Sequence, residues 1–193
     1  MIKAKSADKS TVVDILVSAF APLHEENSIN LVVKQDKKRL KRMLVLMGYL
    51  FERALLFGEV YLSNNKQACL LINYPHKEKT NLQTIWWDIK LAVQCIGIER
   101  IFKVLKRQLM AKRHYPKEAH IRPMIAGIKE NSKGNGTAAR LMLEVMAYHK
   151  NNRLPVLIDA ASPDNARLYQ KLGFKIIKKE ELLGFPIYFL RLN

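Results

Sequence analysis

The segment with the clearest chemical potential is IAGIKENSKGNGTAARLM, where an apolar run ends, a glycine-bearing loop follows and a helical pattern begins at once. A loop at a helix start aims free backbone N–H groups and the positive end of a helix dipole at one spot, which suits a phosphate or pyrophosphate. Gly134 and Gly136 let the backbone turn sharply with no Cβ in the way. The spacing is not that of a P-loop, because no Gly-Lys-Ser/Thr follows. Nor is it the full GxGxxG fingerprint, because Ala139 stands in the third glycine's place. A second cluster, SPDNARLYQKLGFK, places Asn165 and Tyr169 four residues apart, hence on one face of a short helix. Asn165 either caps that helix or faces a ligand.

Other reactive residue types carry less. Cys69 and Cys95 are the only cysteines, each inside an apolar stretch, so a disulfide scaffold is excluded and each reads as a small core residue. Without a CxxC or a Cys/His cluster, no metal site is expected. The 193 residues carry a formal charge of +16, concentrated in Lys37–Arg42, in Lys103–Arg113 and in Lys175–Lys179. Such a surface attracts polyanions. However, leucine, methionine and isoleucine recur among the first two runs at helical spacing, which reads as amphipathic helices with solvated basic faces. Recognised nucleic-acid modules are absent, so a nucleic-acid partner is not expected. No apolar window reaches the length of a membrane span, and MIKAKSADKS has no secretion-signal core. A cytoplasmic protein with no membrane partner is the expectation.

The elements that must position these residues follow from periodicity. Ile2–Ala4 reads as a strand, and Ser10 as the N-cap of TVVDILVSAF. A long helix opens at Asp36 and closes at Gly58 as C-cap. Glu59–Ser63 and Ala68–Tyr74 form a hairpin around Asn64-Asn65-Lys66. Residues 84–113 form two helices broken near Gly97. Ala119–Ile128 is a strand, residues 137–152 a helix, and PVLIDA a strand buried on both faces. Asn165–Leu172 is a short helix stopped by Gly173, and Phe174–Ile177 pairs with Pro186–Leu192 in a final hairpin. Strands and helices mix with no linker and no internal repeat, so residues 1–193 are expected to form one α/β domain with a mixed sheet.

Lys133-Gly134-Asn135-Gly136-Thr137-Ala138 resembles the central Gln/Arg-x-x-Gly-x-Gly/Ala motif of the Gcn5-related (GNAT) acetyltransferases, with Lys133 in the place of the usual Gln or Arg. Lysine keeps the charge there but lacks arginine's planar fork. Asn165, Tyr169 and Gly173-Phe174 resemble the family's C-terminal Asn…Tyr-x-x-x-Gly-Phe signature, although the asparagine is usually seven residues before the tyrosine, where this chain has Ser162. The resemblance covers residues 119–193 as a cofactor half. Residues 1–118, with extra helices over 84–113, would be the acceptor side. It implies a mostly antiparallel twisted sheet, flanked by helices and splayed between its fourth and fifth strands.

The resemblance further implies an acetyl-CoA-dependent N-acetyltransferase that transfers directly to a small-molecule or peptide amine, with a homodimer as a possible assembly. Under it, Lys133, Gly134, Asn135, Gly136, Thr137, Ala138 and Ala139 take the pyrophosphate. Ala126, Gly127 and Ile128 polarise the acyl oxygen, and Tyr169 protonates the leaving thiolate, its phenol remaining protonated at neutral pH. The base is open. His120 shares a face with Arg122 and Met124 under strict alternation and has a suitable ordinary pKa. His24, Glu25 and Glu26, after the first helix, are alternatives. Trp86 or Trp87 lines an acceptor pocket or covers a core edge. A non-catalytic acyl-CoA-binding domain and an RNA- or ribosome-associated basic protein are the competing readings.

Overall fold

A computed structural model describes residues 1–181 and 184–193. Two antiparallel sheets form the frame. The first has the order β1 (Ile2–Lys3), β2 (Gly58–Leu62), β3 (Ala68–Asn73), β4 (Arg122–Ile128). The second has the order β5 (Val156–Ala160), β7 (Ile187–Leu192), β6 (Lys175–Glu180), so β7 inserts between its two predecessors. Among the described residues the hydrogen-bonded link between them is one parallel bridge, Ile121 to Val156, in which Ile121 N–H donates to Pro155 O (2.9 Å) and Leu157 N–H to Ile121 O (2.9 Å). Beyond that bridge β4 and β5 part. The expected splay between the fourth and fifth strands is therefore present.

Helices cover the frame: α1 (Lys9–Phe20), α2 (Ser28–Val32), α3 (Arg39–Phe57), α4 (Leu82–Leu91), α5 (Ile101–His114), α6 (Thr137–His149) and α7 (Pro163–Lys171). The main core packs Val12, Ile15 and Leu16 of α1 and Met43, Met47 and Phe51 of α3 against Val60, Leu62, Leu71 and Ile125 of the first sheet. These helix positions recur at three and four residues, as an apolar stripe requires. Gly127 belongs to this packing, since a Cβ there would sit 2.9 Å from Leu16 Cδ2.

Several boundaries differ from the sequence expectations. A 3₁₀ turn over Ser6–Asp8 leads into α1, so Asp8 rather than Ser10 occupies the N-cap position. Asp36 lies before α3 and instead accepts from Lys38 N–H (2.9 Å) and pairs with Arg42 (2.8 Å). Gly58 follows α3 with φ −158°, not as a left-handed cap. It opens β2, and a Cβ would lie 2.0 Å from Ile72 O, so the residue is set by close backbone approach. The short α2 was not anticipated. Its five residues show no periodicity; Asn27 creates it by accepting from Ile29 N–H (2.9 Å) and Asn30 N–H (2.8 Å).

The break at Gly97 is as expected. A π-helical turn over Ala92–Ile96 follows α4, and Gly97 has φ +84°. The amphipathic reading of α5 needs correction. Its inner face holds Val104, Met110 and Ala111 but also the buried Arg107, whereas Phe102, Leu105 and Leu109 are exposed. Among the described residues no helix is long and apolar enough to cross a membrane.

Candidate functional site

The gap between β4 and β5 is a cleft of about 750 Å³, walled by β4, β5, the start of α6, and α7. That volume is in the range of small-molecule and cofactor sites. Two details of β4 shape it. Leu71 pairs with Ile125 while the next residue, Ile72, pairs with Pro123, so Met124 is an extra residue, a bulge beside the gap. Lys129 N–H donates to Gln67 O (2.8 Å), which places Gly127 and Ile125 in the hydrogen-bonded positions opposite Cys69 and Leu71. By the alternation of an antiparallel ladder, the N–H groups of Ala126 and Ile128 point away from β3, towards the gap. Both residues line the cleft; Gly127, facing α1, does not.

The glycine loop sits at one end of this gap. Gly134 (φ +80°) and Gly136 (φ +78°) are both left-handed, and open space surrounds the position where a Cβ would project from either. Glycine is required there by conformation, not by crowding. Asn135 Oδ1 accepts from Thr137 N–H (3.0 Å), so these two residues serve the turn and are not cleft-lining. The N–H groups of Gly136, Ala138 and Ala139 have no protein partner among the described residues. They lie at the first turn of α6, where such groups are free. Lys133, Gly134, Gly136, Ala138 and Ala139 all border the cleft; Lys133 pairs with Glu130 at 2.6 Å.

From the opposite side α7 contributes Asn165 and Tyr169. The capping question has an answer. Ser162 Oγ accepts from Asn165 N–H (3.2 Å), so Ser162 is the N-cap and the Asn165 side chain is left to the cleft. Tyr169 packs edge-on against Phe174, with ring centroids 5.8 Å apart. Burial, helped by the Asp159 carboxylate, raises its pKa above the ordinary phenol value.

Asp159 is the residue that sequence reading missed. It sits in the apolar strand β5 at the edge of the cleft and holds together three side chains from elsewhere. Arg107 of α5 and the Tyr115 hydroxyl donate to its two oxygens, and Arg122 of β4 reaches it at 3.3 Å. The Arg122 guanidinium also lies 4.9 Å from the centre of the Tyr115 ring. Burial opposes ionisation of Asp159, but the two arginines outweigh it and hold its pKa down at about 2. A lone acid inside an apolar strand was the available signal, because a buried charge must find partners.

His120 is not brought to the cleft. β4 begins at Arg122, so strict alternation does not extend to His120, which is buried beside Tyr115. Its Nδ1 lies 2.8 Å from Glu118 O, and Nε2 is buried without a partner among the described residues. Glu25 and Glu26 do border the cleft, and with His24 they also line a smaller adjoining pocket of about 130 Å³. Their loop is held firmly. Asn30 Nδ2 donates to Leu23 O (2.9 Å) and Glu25 O (2.8 Å), and Arg39 donates to Ala21 O (2.7 Å) and Leu23 O (2.6 Å). Neither tryptophan lines cleft or pocket: Trp86 is exposed and Trp87 half-buried. Both thiols are buried, which pushes Cys69 and Cys95 up to about 12. No group of three or more metal-ligating side chains occurs among the described residues.

No protein-family model matches the chain, and no curated protein does. Solved structures do match in fold. A crystal structure of histone acetyltransferase HPA2 and related acetyltransferase from Corynebacterium glutamicum shares 18% identity at a TM-score of 0.70, covering 98% of this chain and 93% of that one. Arylalkylamine N-acetyltransferase 2 from Aedes aegypti shares 14% identity at a TM-score of 0.63, covering 99% and 96%. The C-terminal condensation domain of Ebony, in complex with beta-alanyl-dopamine, shares 11% identity at a TM-score of 0.69, covering 99% and 96%. The fold is that of the GNAT acetyltransferases.

Proposed function

We propose that this chain, built on the GNAT acetyltransferase fold, binds acetyl-CoA between β4 and β5 and acetylates an amine by direct transfer. The observation that carries the reading is the convergence of free main-chain donors on one cleft. The unpaired edge of β4, with Ala126 and Ile128, meets the open first turn of α6 behind two left-handed glycines. Main-chain donors of this kind fit a ligand with a pyrophosphate at one end and an amide-bearing arm at the other.

When bound, acetyl-CoA supplies the activated acyl thioester. The chain's own groups divide the remaining work. The N–H groups of Gly136, Ala138 and Ala139 hold the pyrophosphate, with Lys133 nearby as a cation. Those of Ala126 and Ile128 orient the arm and favour negative charge on the acyl oxygen. Tyr169, its pKa raised by burial and by Asp159, stays protonated at neutral pH and is placed to give its proton to the leaving sulfur. Besides Asp159, whose carboxylate is held by Arg107 and Arg122, the cleft is bordered by Glu25 and Glu26, in a loop fixed by Asn30 and Arg39, and these two take the amine's proton. The acceptor, a small-molecule or peptide amine, enters from their side, next to Arg100, Lys103 and Phe185.

Thermal melting with acetyl-CoA, CoA and ATP in parallel tests the reading. A ligand that binds only the native state raises the melting temperature. Acetyl-CoA and CoA are expected to raise it and ATP to leave it unchanged. No rise at saturating acetyl-CoA would overturn the assignment of the cleft.

A further inference from the structure

The outer faces of α4 and α5 are apolar where a solvent-facing helix should be polar. Along α5 and the 3₁₀ turn before it, Ile98, Phe102, Leu105 and Leu109 recur at steps of four, three and four residues. Along α4 and the π-helical turn after it, Leu82, Trp86, Ile89 and Val93 repeat the same steps. Each set therefore lies along one side of its helix. All eight side chains are exposed: Leu82 is 86%, Phe102 83%, Ile98 75% and Trp86 64% accessible. Scattered exposed apolar residues are ordinary, but two regular stripes on consecutive segments of the chain mark a surface that another phase or molecule covers.

Charge decides what covers it. Within Ile101–His114 there is no acidic residue, and Lys103, Lys106, Lys112 and Arg113 flank the stripe in exposed positions. The only acids between residues 82 and 113 are already engaged, Asp88 by the Tyr49 hydroxyl (2.7 Å) and Glu99 by Lys34. A second copy of this face would set lysine against lysine, so self-association is disfavoured by the same residues that favour an anionic partner. A lipid interface suits side chains as exposed as Phe102 and Leu82, because it admits protruding aromatic and aliphatic groups while lysine stems reach back to the headgroups.

We propose that the exposed stripes of α4 and α5 together form a docking surface for an anionic lipid bilayer. This departs from the sequence expectation of no membrane partner, which rested on the lack of a membrane span and of a secretion-signal core. It stands independently of the acetyl-transfer reading. Docking would place the pocket that includes Arg100 and Lys103 next to the bilayer surface, since Lys103 belongs to both.

Flotation of the full chain with vesicles tests this, using phosphatidylcholine alone and phosphatidylcholine mixed with phosphatidylglycerol. The chain is expected to float only with the mixed vesicles, and less so as salt is raised. Phe102→Asp/Leu109→Asp should weaken binding at least about tenfold, as should Lys106→Glu/Lys112→Glu, each with an unchanged melting temperature. These positions are exposed and outside the cleft and its adjoining pocket, so the rise in melting temperature with acetyl-CoA is read separately in the same variants. Three outcomes would overturn the proposal. The chain fails to float with either vesicle. Flotation survives Phe102→Asp/Leu109→Asp, which means simple adsorption of a basic protein. The wild type is a dimer that Phe102→Asp/Leu109→Asp converts to a monomer, which means a second copy covers the face.

Discussion

The two walls of the cleft are built from different materials. The wall formed by β4 and the loop into α6 presents main-chain N–H groups, positioned by a bulge at Met124 and by the left-handed Gly134 and Gly136. The facing regions present side chains that long-range contacts hold in place: Tyr169 beside Asp159 on one side, and Glu25 and Glu26 in a loop tied down by Asn30 and Arg39 on the other. Main-chain sites depend on conformation, so only residues that alter φ should damage them. Side-chain sites depend on partners distant in sequence, so removing one buried partner should damage the fold itself.

The largest effect should follow from Asp159→Ala. Arg107 and Arg122 would be left beside the cleft with no counter-charge, and breaking a buried pair in this way costs about 3–5 kcal/mol. Urea unfolding checks it, and a loss under about 1 kcal/mol would mean that water takes over the arginines and the cluster is not a structural centre. The same group predicts an acid limit. Its folded pKa lies at about 2, below the ordinary aspartate value of 3.8, so its contribution is fully present above pH 3.8 and disappears as pH falls through about 2. Asp159→Ala should therefore remove part of the acid-induced loss of stability across that window.

Next is Tyr169→Phe, which keeps the packing on Phe174 and removes only the hydroxyl. If the phenol donates a proton, kcat should fall about a hundredfold with acetyl-CoA affinity unchanged. Equal losses in affinity and rate would instead make Tyr169 a binding residue. Wild-type turnover would remove Tyr169 from the chemistry and leave the cleft with its main-chain donors alone.

Gly136→Ala probes the main-chain wall. Nothing lies within 4 Å of the position a Cβ would occupy, so the φ of +78° is the sole obstacle. The strain is about 1–2 kcal/mol, and relief by rotation of the loop would carry the N–H donors away from the cleft. The expected result is a modest drop in melting temperature and loss of most of the stabilisation by acetyl-CoA. Full retention of that stabilisation would mean that the loop does not hold the ligand, and the contrast between the walls would fail on its stronger side.

How far the sequence carried differs between the walls for the same reason. Gly134, Gly136 and the helix after them are local features, and a left-handed turn must be written in the residues that make it. The splay was likewise expected, through the resemblance at residues 133–138 and 165–174. Asp159 escaped notice because its meaning lies in Arg107, Tyr115 and Arg122, which are 37 to 52 positions away. The five residues of α2 are too few to show a period, and their cap, Asn27, sits in a stretch that reads as a polar stop. His120 drew attention by residue type, but its distance from the cleft depends on where β4 begins, and boundaries are the weakest part of any periodicity argument.

The smallest effect separates two residues that the sequence could not. Ser162 accepts from Asn165 N–H at the start of α7, so Ser162→Ala should lose a cap worth about 1 kcal/mol. Because α7 carries Tyr169, fraying of its first turn should also slow turnover slightly. Asn165→Ala leaves that cap intact and, being exposed and a good helix former, should leave the melting temperature unchanged. Its side chain borders the cleft, so the change should appear only in acetyl-CoA affinity, as a loss of a few-fold for one hydrogen bond. Measured side by side, the pair should give opposite signatures, stability without affinity for Ser162 and affinity without stability for Asn165. If Asn165→Ala destabilises the fold and leaves affinity alone, α7 supplies only Tyr169 to the cleft, and the resemblance at Asn165 is a structural coincidence.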